Sequence, residues 1–128
     1  MILYKATIPL APISKKNSQR ILLNSKTGRH FIAPSVQYER YERDAMRTLV
    51  GLPRMAIREP VNVKALFFMP TKRRVDLVNL LEALDDVLVK RGVLLDDNST
   101  IIVSHDGSRV LYDKLHPRTE IVIEEATG

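Results

Sequence analysis

With 128 residues, 45% of them hydrophobic and 27% charged, the chain has material for one domain around one core. It has no cysteine, which excludes zinc fingers, disulfide frameworks and thiolate nucleophiles, and no apolar run approaches the roughly 20 residues that span a bilayer. The net charge of +5 conceals a division: residues 1–74 carry 15 Lys/Arg against 4 Asp/Glu, and residues 75–128 carry 5 against 11.

Residues 2–8 alternate Ile2, Tyr4, Ala6 and Ile8 against Leu3, Lys5 and Thr7, the period of a strand. Lys5, Pro9 and Pro12 interrupt the apolar stretch that a secretory leader requires, so a cytoplasmic location is expected. Residues 9–19 read as a loop. Extended pieces at 21–24 and 30–33 flank Lys26-Thr27-Gly28, predicting a hairpin with Gly28 at the positive-φ position. Ser35 is placed to cap a helix that runs to about Val50 and is ended by Gly51 and Pro53. Tyr38, Tyr41, Ala45, Met46 and Leu49 recur on it at helical spacing. In 61–69, Val61, Val63, Ala65, Phe67 and Met69 share one face, and Leu66 and Phe68 the other, predicting a central strand. Residues 77–90 predict a second helix with Leu77, Leu80, Leu81, Leu84, Val87 and Leu88 inward, closed by Gly92. Strands near 100–104, 108–112 and 119–124 follow. The order predicts a single α+β domain over 1–128, with a mixed sheet and packed helices.

The basic half of the chain suits a polyanion, attracted by electrostatic steering and counterion release. The acidic half would repel that partner unless a cation stood between them. Asp76, Glu82, Asp85, Asp86, Asp96 and Asp97 concentrate the acids. Asp76 opens the second helix and Asp96-Asp97 follow it, so a chain reversal is expected to bring the two groups together. Oxygen-rich groups of this kind suit Mg²⁺ or Mn²⁺ at a scissile phosphate, with Lys15, Lys16, Lys72, Arg73 and Arg74 as contacts to flanking phosphates. The plainer readings are a dipolar surface, acids that favour a helix start, and an Asp-Asp-Asn surface turn. His30, His105 and His116 have no metal-ligand spacing and read as incidental.

The stretch Arg74-Val-Asp-Leu-Val-Asn-Leu-Leu-Glu-Ala-Leu-Asp-Asp-Val-Leu, then Gly92-Val-Leu-Leu-Asp-Asp97, resembles the signature of RusA-like Holliday junction resolvases. That signature is Asp-x-Asp-Asn-Leu-Leu-Lys, a helix with Leu-Asp-x-Leu, then Gly and an Asp-Asp pair. Pro12-Ile-Ser-Lys-Lys-Asn17 is similar to the family's early loop. Asp106-Gly-Ser-Arg109 through Asp113-Lys114, and Pro117-Arg-Thr-Glu-Ile121, are similar to phage-associated members. The resemblance implies a homodimeric endodeoxyribonuclease of DNA recombination and repair that binds four-way junctions and nicks them with Mg²⁺.

Carried over by position, the resemblance makes Asp76 and Asp97 metal-binding and catalytic, Asp96 their acidic neighbour, and Asn79 a match. Val78 stands where the family has its second metal-binding aspartate, and Glu82 where it has a functional lysine. Two readings follow. In one, Glu82, a turn beyond Val78, restores the carboxylate while Lys90 or Lys114 replaces the cation. In the other, which the exposed-face position expected for Val78 favours, cleavage is impaired. A junction-binding protein without cleavage is the alternative from another class. A basic RNA-binding domain ranks last, since aromatics are 5% of the chain and no stacking platform is evident.

Overall fold

A computed structural model describes residues 1–15, 20–51 and 56–126; Lys16 and Pro53, both singled out above, lie outside them. The elements are β1 (Ile2–Ile8), β2 (Arg20–Leu23), β3 (His30–Ala33), α1 (Val36–Thr48), β4 (Val61–Met69), α2 (Leu77–Lys90), β5 (Ile102–Ser104), β6 (Arg109–Tyr112) and β7 (Arg118–Glu125). The main sheet runs β1-β7-β4-β5, with β6 also on β4. β7 is antiparallel to both β1 and β4, whereas β5 and β6 lie parallel to β4. The mixed sheet and two helices form the α+β domain that the hydrophobic periods predict.

β4 is central because both its edges are paired and its inward residues are fully covered. Val61, Val63, Ala65, Phe67 and Met69 are buried and meet Leu80, Leu84, Val87 and Leu88 of α2, Ala45 of α1 and its capping residue Leu49 in one core. Burying each such side chain contributes roughly 1.5–3 kcal/mol. On the opposite face Leu66 and Phe68 are only half-buried, and the Arg118 guanidinium lies 3.8 Å from the Phe68 ring centre, an amphipathic cover for an otherwise open sheet.

Strands β5 and β6 follow one edge of β4 and are separated by an irregular stretch at 105–108. There Asn62 Oδ1 accepts from the Asp106 N–H at 2.7 Å, and Asn62 Nδ2 donates to the Asp106 carbonyl at 3.1 Å. The Ser108 hydroxyl accepts from the Ala65 N–H at 3.0 Å. Gly107, at φ +85, supplies the left-handed turn. Side chains thus satisfy backbone groups that an interrupted ladder leaves free.

Hairpin β2–β3 forms a separate two-stranded sheet. Gly28 has φ 70, and the Asn24 side chain accepts from the Lys26 and Thr27 N–H groups, the turn chemistry expected there. Ile21, Leu23, Phe31 and Ile32 are all exposed.

Candidate functional site

α2 begins where β4 and the basic run end. Asp76 is its N-cap, with Oδ1 accepting from the Val78 N–H at 3.0 Å and the Asn79 N–H at 3.4 Å. One carboxylate oxygen is thereby committed to the helix end. The next outward position is Val78, 67% exposed. Asn79 is half-buried and Glu82 exposed.

Arg73 and Arg74 precede this cap. Both line a pocket of about 380 Å³ at the carboxyl end of β4, closed on its other side by residues 11–14 and Gln37. Neither arginine enters an ion pair among the described residues. Lys72 points elsewhere, its Nζ 5.3 Å from the centre of the Tyr112 ring. Tyr112 is 45% exposed, an aromatic surface that sequence reasoning had not placed.

Lys15 turns inward. Its ammonium pairs with Asp86, which holds its pKa above the ordinary lysine value, with Glu42 and Glu82 adding to the field. Lys90 is tied to Glu42 at 2.8 Å. Lys15 is thus a cation held against α2 at Asp86, whereas Lys90, expected as a replacement cation, is engaged by α1.

Asp97 is not brought to Asp76 within one chain, contrary to the expectation from the chain reversal. α2 is 14 residues long, about 21 Å, and the segment after it stays at its far end. The Val93 and Leu94 N–H groups donate to the Leu88 carbonyl, and the Ile101 carbonyl accepts from the Val61 N–H at the start of β4. The reversal at Gly92, φ 82, thus leads into the amino end of β4 rather than back along the helix. Asp96 and Asp97 form a local exposed pair: the Asp97 N–H donates to Asp96 Oδ1 at 2.7 Å and holds the Asp96 pKa below the ordinary carboxylate value. The Asp97 pKa is raised by partial desolvation, then by Asp96 and Asp86. Among the described residues, no three His, Cys, Asp or Glu side chains could jointly hold a metal ion. The donor set that the described residues of one chain bring together does not by itself fit a divalent metal.

The structure adds a pair that the sequence reading missed. Asp85 is 7% exposed, and its Oδ2 lies 2.9 Å from His105 Nε2; its Oδ1 is buried without a hydrogen-bond partner. Burial pushes the Asp85 pKa up, opposed by His105, and the bond to Asp85 raises the His105 pKa. His105 is not incidental: the irregular stretch between β5 and β6 delivers its ring to α2. The sequence carried a sign of this, because Asp85 stands four residues after Leu81 and three before Leu88, inside the apolar stripe.

Residues 9–124 match the family model described as Endodeoxyribonuclease RusA. Comparison with curated proteins found no match. No helix among the described residues is long and apolar enough to cross a membrane.

Proposed function

The chain belongs to the RusA endodeoxyribonuclease family, a family of Holliday junction resolvases, and from that premise we propose that it is a homodimer that binds four-way DNA junctions and whose strand cleavage is impaired by Val78 and Glu82. The observation that carries the impairment is the exposure of Val78, 67%, beside the Asp76 cap. An apolar side chain held in water one step from an acidic helix start adds nothing to the core, and it places no donor where charge must be stabilised.

Binding is supported by Arg73 and Arg74, exposed beside Asp76 and without an ion pair among the described residues, with Lys72 next to them. Lys16 is a further DNA contact in this reading, while Lys15, paired to Asp86, serves the acidic surface instead. Dimerisation is supported by two features. The apolar hairpin residues Ile21, Leu23, Phe31 and Ile32 are exposed, the kind of patch that marks an interface. Asp76 and Asp97 also stand at opposite ends of α2, so uniting them takes a second copy: a two-fold axis would set Asp76 of one protomer against Asp97 of the partner subunit. The family's nucleases are generally dependent on a divalent metal, and Mg²⁺ or Mn²⁺ binding by this protein is read here as requiring the dimer.

One observation favours a second reading, in which cleavage is compensated. Lys15 lies in the field of Glu82 and Asp86, so a cation and a carboxylate are both present on this face. A synthetic four-way junction with Mg²⁺ or Mn²⁺ separates the two. The impaired reading expects junction binding, steeply weakened by salt, with little or no nicking. Ready nicking by the protein as it stands overturns it in favour of compensation. Competition by RNA as strong as by the junction would assign the basic surface to RNA.

A further inference from the structure

The pocket beside Asp76 has two kinds of wall. Pro12, Ile13 and Leu80 give it apolar sides, while Gln37, Arg73 and Arg74, one amide-bearing residue and two cations, line the same space of about 380 Å³. A site for a bare phosphate needs cations but no apolar walls, and a site for an apolar ligand needs no arginines. A nucleotide unit asks for both: flat faces that pack on apolar groups, a polar edge that an amide can read, and an adjoining anion. The volume lies in the range of small-ligand pockets. Its place fits as well, since β4–α2–β5 is a parallel crossover and ligands of such units collect at the carboxyl ends of the strands.

We propose that this pocket receives one unstacked nucleotide of the junction strand next to the crossover, its base between the apolar walls, its edge against Gln37 and its phosphate between Arg73 and Arg74. This rests on the junction-binding reading and deepens it. A four-way junction is suited to the exchange, because bases at the crossover have already lost part of their stacking and the cost of extruding one is reduced. The same geometry gives the two arginines a registering role: with the base seated, the neighbouring phosphate is led toward Asp76, two residues beyond Arg74. Gln37 lies in the first turn of α1, on the exposed side, so it can be replaced without disturbing the core.

The test is fluorescence of 2-aminopurine placed in turn at each nucleotide flanking the crossover. Stacking on other bases quenches this probe, and the pocket walls contain no aromatic ring to quench it again. The full-length protein is expected to raise the signal at one flanking position. Ala11→Leu, which fills the pocket with a side chain that does not quench the probe, is expected to abolish the rise and weaken junction binding by about tenfold without changing the salt slope. Gln37→Ala leaves the space open and should keep the rise. Junction binding with no rise at any position, or a rise undiminished in Ala11→Leu, would overturn the pocket assignment while leaving junction binding in place. Failure to bind the junction at all sinks the junction reading and this inference with it.

Discussion

On the inner face of α2 a carboxylate, Asp85, is 7% exposed, while on its outer face the isopropyl group of Val78 is 67% exposed. Each residue contradicts the pattern of its face, in opposite directions and with different consequences. A buried carboxylate is tolerated only with a partner, and the chain supplies one by interrupting the β5–β6 edge so that His105 can reach it. An exposed valine needs no such support, because the surrounding water asks nothing of the fold there. Asp85 is thus held by the structure, and its replacement is expected to register in stability. Val78 is held by nothing in the fold, and its replacement is expected to register in chemistry.

The largest expected effect sharpens the outer half of this comparison. Val78→Asp together with Glu82→Lys should restore metal-dependent nicking of a four-way junction by about 100-fold or more, the scale of a transition-state electrostatic group. Each substitution alone should restore less, since groups acting on one transition state do not contribute additively. Adding Asp76→Asn should abolish the restored nicking and leave junction binding largely in place, as should removal of the metal with a chelator. A folded double variant that stays inactive with both Mg²⁺ and Mn²⁺ would remove α2 from the catalytic assignment.

Next in size is binding. Arg73→Ala with Arg74→Ala should weaken junction affinity by about tenfold or more at moderate salt and flatten the salt dependence by about two ions released. Salt titration of the binding constant reads both quantities. An unchanged slope would move the DNA surface away from the start of α2.

How much of this was legible beforehand follows from which contacts are local. β1, the hairpin, both helices and β4 were readable because their periods and caps are short-range: Ser35 accepts from the Tyr38 N–H, and Gly28 and Gly92 adopt the positive φ their turns require. The candidate residues were legible as types, but their distances were not. Asp76 and Asp97 share a motif, yet their separation depends on where the chain after Gly92 docks, which is decided by Leu94 against Ile57 and Ile101 against Val61. The Asp85–His105 pair spans 20 residues and depends on an irregular strand edge, which no periodicity announces. Lys15 was legible as a basic residue but not as the partner of Asp86, because a loop lysine's direction is set by the surface it lands on.

The inner half of the comparison is tested by stability. His105→Ala leaves Asp85 buried without its partner and should destabilise the fold by about 2 kcal/mol, less than the 3–5 kcal/mol of a fully buried pair, because the imidazole is only half-buried. Both pKa values are raised in the folded protein, so the native state binds protons more tightly than the unfolded chain. The contribution from His105 is complete below its unfolded value near 6.5 and is lost as pH rises through its higher folded value; that from Asp85 follows the same sign from 3.8 upward. Urea melts should therefore show stability falling as pH rises above about 6.5, and that slope should shrink in Asp85→Asn. Equal slopes in the two proteins would mean that the pair does not govern stability in this range.

The smallest effect is the most diagnostic of the contrast. Val78→Asp alone is expected to change unfolding free energy by no more than about 0.5 kcal/mol, the usual limit for a surface position. Two small contributions oppose each other there. A carboxylate in the first turn interacts favourably with the positive helix end, while Asp76, already capping that end, and Glu82, one turn away, repel it. Loss of the valine itself removes little buried area. If the site were maintained for packing, through a contact made only in the dimer, the same substitution would instead lower stability by more than 1 kcal/mol and in a concentration-dependent manner. Urea melts of Val78→Asp at two protein concentrations distinguish these outcomes. A near-zero, concentration-independent change assigns position 78 to the chemistry of the outer face, whereas a large and concentration-dependent one assigns the valine to the interface between protomers.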